Sequence, residues 1–203
     1  MTERSAADAL DEELRTLLDV RNYHKARAKG EFIRPLSSDM EAGIVFLIHK
    51  RKMAAYVEID VFVRHLGLGR LSLRLRGEPD SQTSLPRSWS KRLDMLASPR
   101  QGKRYWCDSP ESVVGLSTEI AADLDGPGET FVGNHSTLKL LAEEYERSRL
   151  PAQLAESLYL LGDHAGAATV AASAVLVGPG AVRPRWPENF RDLLAERRRE
   201  ECG

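Results

Sequence analysis

Cysteine is nearly missing from this chain: Cys107 and Cys202 are the two in 203 residues. That is too few for a disulfide framework or a four-cysteine zinc site, and it points to a reducing, cytoplasmic setting. Long apolar runs are missing as well. The longest, residues 43–49, is strand-sized, far short of the eighteen or so apolar residues of a membrane span. The first residues, Met1-Thr2-Glu3-Arg4-Ser5, are polar and lead into an acidic helical pattern, so no secretory leader is expected. Aromatics make up only 6% of the chain. What is present describes an ordinary globular protein: 42% apolar, 29% charged, mean hydropathy −0.37.

The net charge of −1 hides a marked segregation. Residues 1–19 sum to −4, residues 20–104 to +10, residues 105–180 to −8 and residues 181–203 to +1. A basic middle segment can form a face for an anionic partner, or it can neutralise the acidic segment within the fold.

Periodicity divides the chain. Leu10, Leu14, Leu17 and Leu18 make a helical stripe behind a Ser5 N-cap, and Gly30 is expected to end the helical stretch. From residue 32 to residue 76 the period becomes two. Val57, Ile59, Val61 and Val63 alternate with Tyr56, Glu58, Asp60, Phe62 and Arg64, and Leu71, Leu73 and Leu75 alternate with Arg70, Ser72, Arg74 and Arg76. Gly67-Leu68-Gly69 then reads as a hairpin loop that opposes Val63 to Leu73, Val61 to Leu75, Asp60 to Arg76 and Arg64 to Ser72. Residues 44–49 are apolar on both faces and predict a central, doubly covered strand. Residues 32–36 predict an edge strand that tolerates Pro35.

Further along, Ser88 is expected to cap a short helix carrying Trp89, Leu93 and Leu96, and Tyr105-Trp106 to form a brief strand. Asp108-Ser109-Pro110-Glu111 is a helix start, for a helix that Gly126-Pro127-Gly128 stops. Another helix carries Leu138, Leu141, Ala142 and Tyr145. Strands early and helices late predict an α+β fold: an antiparallel meander of three to four strands packed with helices. Residues 150–179 resemble one tetratricopeptide-type helical hairpin, with Ala155, Ala167, Ala174, Gly162 and Pro179 where that repeat places them. A last helix starts at Pro187, and its tail, Arg197-Arg198-Arg199-Glu200-Glu201, is expected to fray. The division expected is an α+β domain over 1–149 and a helical extension over 150–203.

The polar face of the meander is the main candidate site. Keeping the apolar residues of neighbouring strands together places His49 with Tyr56, Glu58, Asp60, Arg64 and Arg74 on one sheet face. An acid pair, a histidine and arginines on one face can bind a polar ligand or run acid–base chemistry. The structural alternative is cross-strand ion pairing. A second candidate is a basic patch, Arg87, Lys91, Arg92, Lys103 and Arg104, which surrounds Trp89, Tyr105 and Trp106 and would suit nucleic acid.

Other chemistries find less support. His24, His49, His65, His135 and His164 lack metal-ligand spacing, so no metal and no cofactor are expected. Cys107 precedes a helix N-terminus but reads better as a half-buried structural residue than as a nucleophile. Neither glycine-rich loop has the strand and helix context of a nucleotide site.

The order of elements over residues 10–145 resembles a family of uncharacterised bacterial domains of unknown function. Residues 44–49, 55–66 and 108–134 carry the likeness. It implies a non-catalytic, immunity- or adaptor-like protein that binds a macromolecule, and it transfers no site residues. The expectation is therefore a cytoplasmic bacterial interaction protein, most simply one that binds another protein, with no membrane association. The alternatives are a small-molecule hydrolase or transferase using the polar sheet face, or a nucleic-acid-binding protein using residues 87–104.

Overall fold

A computed structural model describes residues 5–26, 30–51, 54–79, 85–99, 105–176 and 185–202. The chain forms two compact units, residues 1–63 with 89–134 and residues 64–88 with 135–203. The second unit thus takes in residues 64–88 and 135–149 as well as the helical segment after residue 150.

The first unit opens with α1 (Ala6–Val20), where the Ser5 hydroxyl accepts from the Asp8 amide at 3.2 Å. Its predicted stripe, Leu10, Leu14, Leu17 and Leu18, is buried. The helix ends at Val20, ten residues earlier than Gly30, because the chain turns at Asn22 (φ 59°) into strand β1 (His24–Lys25). The sheet continues through β2 (Glu31–Pro35), β3 (Met40–Lys50), β4 (Ala55–His65), β5 (Trp89–Arg92) and β6 (Tyr105–Cys107). Its order is β1-β2-β3-β4-β5, with β6 also on β4. β5 and β6 share one edge of β4, β6 opposite Ala55 to Val57 and β5 opposite Asp60 to Val63. The fold is α+β, an antiparallel sheet packed against helices.

One face carries the core. Val57, Ile59, Val61 and Val63 are buried on β4, as are Ile44 on β3 and Phe32 on β2. The guanidinium of Arg15, on α1, lies over the Phe32 and Phe46 rings. β3 is not covered on both sides as expected: Leu47 is 56% exposed. Near the other end of these strands the second face closes. The Phe62 ring is fully buried over Gly43, whose missing side chain leaves the room it occupies.

After β5 come α3 (Leu93–Ala97) and, after β6, a capping box at Ser109 and Ser112 that leads into α4 (Val113–Asp123). Gly126-Pro127-Gly128 does not stop this helix. It forms a wider π turn that continues into α5 (Glu129–Asn134), accommodating the amide that Pro127 lacks. Two long-range ion pairs tie the unit together, Arg21 to Asp125 at 2.6 Å and Arg34 to Glu129 at 2.9 Å.

The predicted second strand of the hairpin is helix α2 (Leu66–Arg76) instead. His65 Nδ1 accepts from the Leu68 amide at 3.0 Å, and Gly77 ends the helix in the left-handed conformation at φ 68°. Residues 71–76 hold leucine, arginine and serine with no β-branched residue, which favours helix where residues 55–63 favour strand. Asp60 therefore faces Arg92, not Arg76, and Val61 and Val63 face Lys91 and Trp89. Trp89 correspondingly lies on strand β5 and not in a helix.

The second unit adds α6 (Leu138–Arg147), α7 (Pro151–Leu160), α8 (His164–Leu176) and α9 (Trp186–Cys202). Gly162, at φ 85°, makes the turn between α7 and α8, and Asp163 Oδ1 accepts from the Gly166 amide at 2.8 Å. Leu71, Leu75, Ala155, Ala167, Phe190 and Leu193 form much of its core. α9 does not fray at residue 197 but runs on to Cys202. Among the described residues no helix is long and apolar enough to cross a membrane.

Candidate functional site

The sequence places His49, Tyr56, Glu58 and Asp60 on one face, and two neighbouring strands, β3 and β4, bring them together. The His49 ring on β3 stacks on Tyr56 of β4 with centroids 4.2 Å apart and planes 7° from parallel. Tyr56 in turn stacks on Trp106 of β6 at 5.9 Å and 6°. The register explains the ladder, because Tyr56 and Trp106 are directly opposite. Trp106 is 44% exposed, and its Nε1 donates to Asp108 Oδ1.

Charge lies beside the rings. His49 Nε2 is 3.5 Å from Glu58 Oε2, and Arg92 Nη1 is 3.7 Å from Glu58 Oε1. Arg92 also grips Asp94 with Nε at 3.0 Å and Nη2 at 2.7 Å. These hydrogen bonds to Asp94 raise the Arg92 pKa above its ordinary value, outweighing the opposing effect of partial burial.

Two members of the predicted site lie elsewhere. Arg64 is buried, and Arg74 is on α2, where its Nη2 pairs with Glu196 at 2.9 Å. The Arg74 assignment depended on the hairpin that is not formed, whereas Arg64 keeps the β4 parity of Tyr56, Glu58 and Asp60 but is 7% exposed. The basic patch is not assembled either. Lys91 and Arg92 are adjacent on β5 and so point to opposite faces, and Arg92 is engaged by Asp94 and Glu58. Arg87 is partly buried in the second unit, while Lys103 and Arg104 lie outside the described residues. Cys107 is fully buried rather than half-buried, with its Sγ 3.0 Å from the Ser109 carbonyl oxygen. Among the described residues no three His, Cys, Asp or Glu side chains cluster so as to hold a metal ion.

Sequence reasoning named Trp106 but assigned it to the basic patch, and it missed Leu47. The available signal was parity: Leu47 shares its face with His49, two residues on. The stacking decides what this face can do. Tyr56 lies between its two neighbours, while His49 and Trp106 end the stack. A platform for successive bases needs ring faces left free. Among the described residues, two cavities of about 620 and 570 Å³ are lined by second-unit residues and not by His49, Glu58 or Asp60. Comparison with family models, curated proteins and solved structures finds no match to this chain.

Proposed function

We propose that this chain is a non-catalytic bacterial interaction protein of the cytoplasm that binds a partner protein through the exposed sheet face. The observation that supports this reading is the His49–Tyr56–Trp106 stack with Leu47 uncovered on the same face. Rigid aromatic side chains lose little rotamer entropy on binding, and tryptophan and tyrosine recur as the residues that carry interface energy. Glu58, Asp60 and Arg92 supply a charged rim with both signs, which confers register more than affinity.

The test is site-specific photocrosslinking in the cells that make the full chain, with p-benzoylphenylalanine in place of Trp106. The expected result is one discrete protein adduct that disappears when Leu47→Glu is added. Adducts confined to nucleic acid, or no adduct from a folded chain, would overturn the reading. Turnover of a small ester or phosphate substrate that depends on His49 and Glu58 would replace it with the hydrolase reading.

A further inference from the structure

The second unit holds a surface that the sheet-face reading does not use. α8 and α9 leave a trough of about 620 Å³ between them. The α8 wall is Ala168, Ala171 and Ala172, all small, so another backbone can approach closely. The α9 wall has Pro187 and Leu194 partly exposed, over Trp186 and Phe190, which lie buried beneath them at 3% and 1% exposure. The base is rigid. Trp186 stacks on Phe190 at 4.9 Å, Trp186 Nε1 donates to Glu156 at 2.6 Å, and Asn189 Nδ2 donates to the Leu75 carbonyl at 2.8 Å.

The rim is cationic. Arg191, Arg198 and Arg199 line it, and no carboxylate does. Arg191 and Arg198 have no ion-pair partner among the described residues, and Arg199 Nε bonds the Ala195 carbonyl in its own helix. From Trp186 to Arg199 the lining runs about 20 Å along the α9 axis, the length of three to four helical turns. An apolar floor of that length beside unpaired guanidinium groups matches one kind of ligand, a helix apolar on one stripe and acidic along its flank.

We propose that the α8–α9 trough takes up an acidic amphipathic helix of a partner protein. The helix would lay its apolar stripe along Ala168, Ala172, Pro187 and Leu194, with its carboxylates meeting Arg191, Arg198 and Arg199. This does not rest on the sheet-face reading.

The experiment titrates the full chain into a fluorescein-labelled peptide of about fourteen residues, the length that fills the trough. The peptide carries leucine at i, i+3, i+4 and i+7 and glutamate on the flanks, and anisotropy is read. The expected result is saturable binding that the double change Arg198→Glu, Arg199→Glu weakens roughly ten-fold or more. Ala171→Trp, which fills the trough, should abolish binding with an unchanged circular dichroism spectrum, and Leu47→Glu should leave binding as it was. Binding no tighter than that of a scrambled peptide, or indifferent to both trough changes, would overturn the proposal. So would a dimer in sedimentation that the double change dissociates, which assigns the trough to a second copy. Displacement of the peptide by micromolar dodecanoate would assign it to an anionic lipid instead.

Discussion

The Trp186 indole donates a 2.6 Å hydrogen bond to the buried carboxyl group of Glu156, joining the first turn of α9 to the middle of α7. Burial pushes the Glu156 pKa up to about 7, although the hydrogen bond from Trp186, the charge of Arg76 and the hydrogen bond from Ser72 all act to lower it.

That shift has a definite sign. The folded state holds the proton more tightly than the unfolded chain, whose glutamate titrates near its ordinary value of 4.5. The stabilisation is therefore complete below about pH 4.5 and is lost as pH rises through about 7. Glu156→Gln keeps an acceptor for Trp186 and removes the titration. Relative to the parent chain, the variant should gain roughly 3 kcal/mol between pH 5 and pH 8. Urea unfolding at the two pH values checks this, and equal differences at both would show that Glu156 does not titrate in the window.

Gly43 lies against the fully buried Phe62, and a Cβ there would overlap the ring. Gly43→Ala should cost roughly 1–3 kcal/mol in chemical denaturation. Adding Phe62→Leu should make the Gly43→Ala change markedly less costly, because the overlap would be relieved. Equal cost in both backgrounds would mean the ring is not the obstacle.

The two faces of the sheet predict opposite responses to charge. Val61 is 1% exposed, so Val61→Asp buries an unpaired carboxylate and should unfold or aggregate the chain. Leu47→Glu on the uncovered face should shift stability by no more than about 0.5 kcal/mol. Circular dichroism melts of the two variants decide the matter. A stable Val61→Asp chain would show the faces to be inverted.

Thr137 Oγ1 accepts from the Leu140 amide at 3.2 Å and caps α6. Thr137→Ala should lower stability by about 1 kcal/mol, while Thr137→Ser or Thr137→Asp should recover most of it. A melting series of these variants reads the effect directly.

Local signals settled much of this molecule. Leu10, Leu14, Leu17 and Leu18, the Ser5 cap, the Ser109 helix start and the turn at Gly162 are each readable because one short stretch of chain contains the whole cause. Alternation along residues 55–63, carried by valine and isoleucine, likewise marks a strand and puts Tyr56, Glu58 and Asp60 on one face, which His49 joins from β3. The run of leucines at 71, 73 and 75 has no such single meaning. Alternation suits a strand, but Leu68, Leu71, Ser72, Leu73 and Leu75 also suit a helix surrounded by other helices, and that burial is what decided it. Which strand completes the β4 edge was a tertiary choice as well: β5 and β6 arrive from distant sequence, and only their pairing puts Arg92 opposite Asp60 and Trp106 on Tyr56. Periodicity states which side of an element is apolar. It does not state which other element covers that side, because many partners bury the same surface about equally well and their competition is resolved by packing over the whole chain.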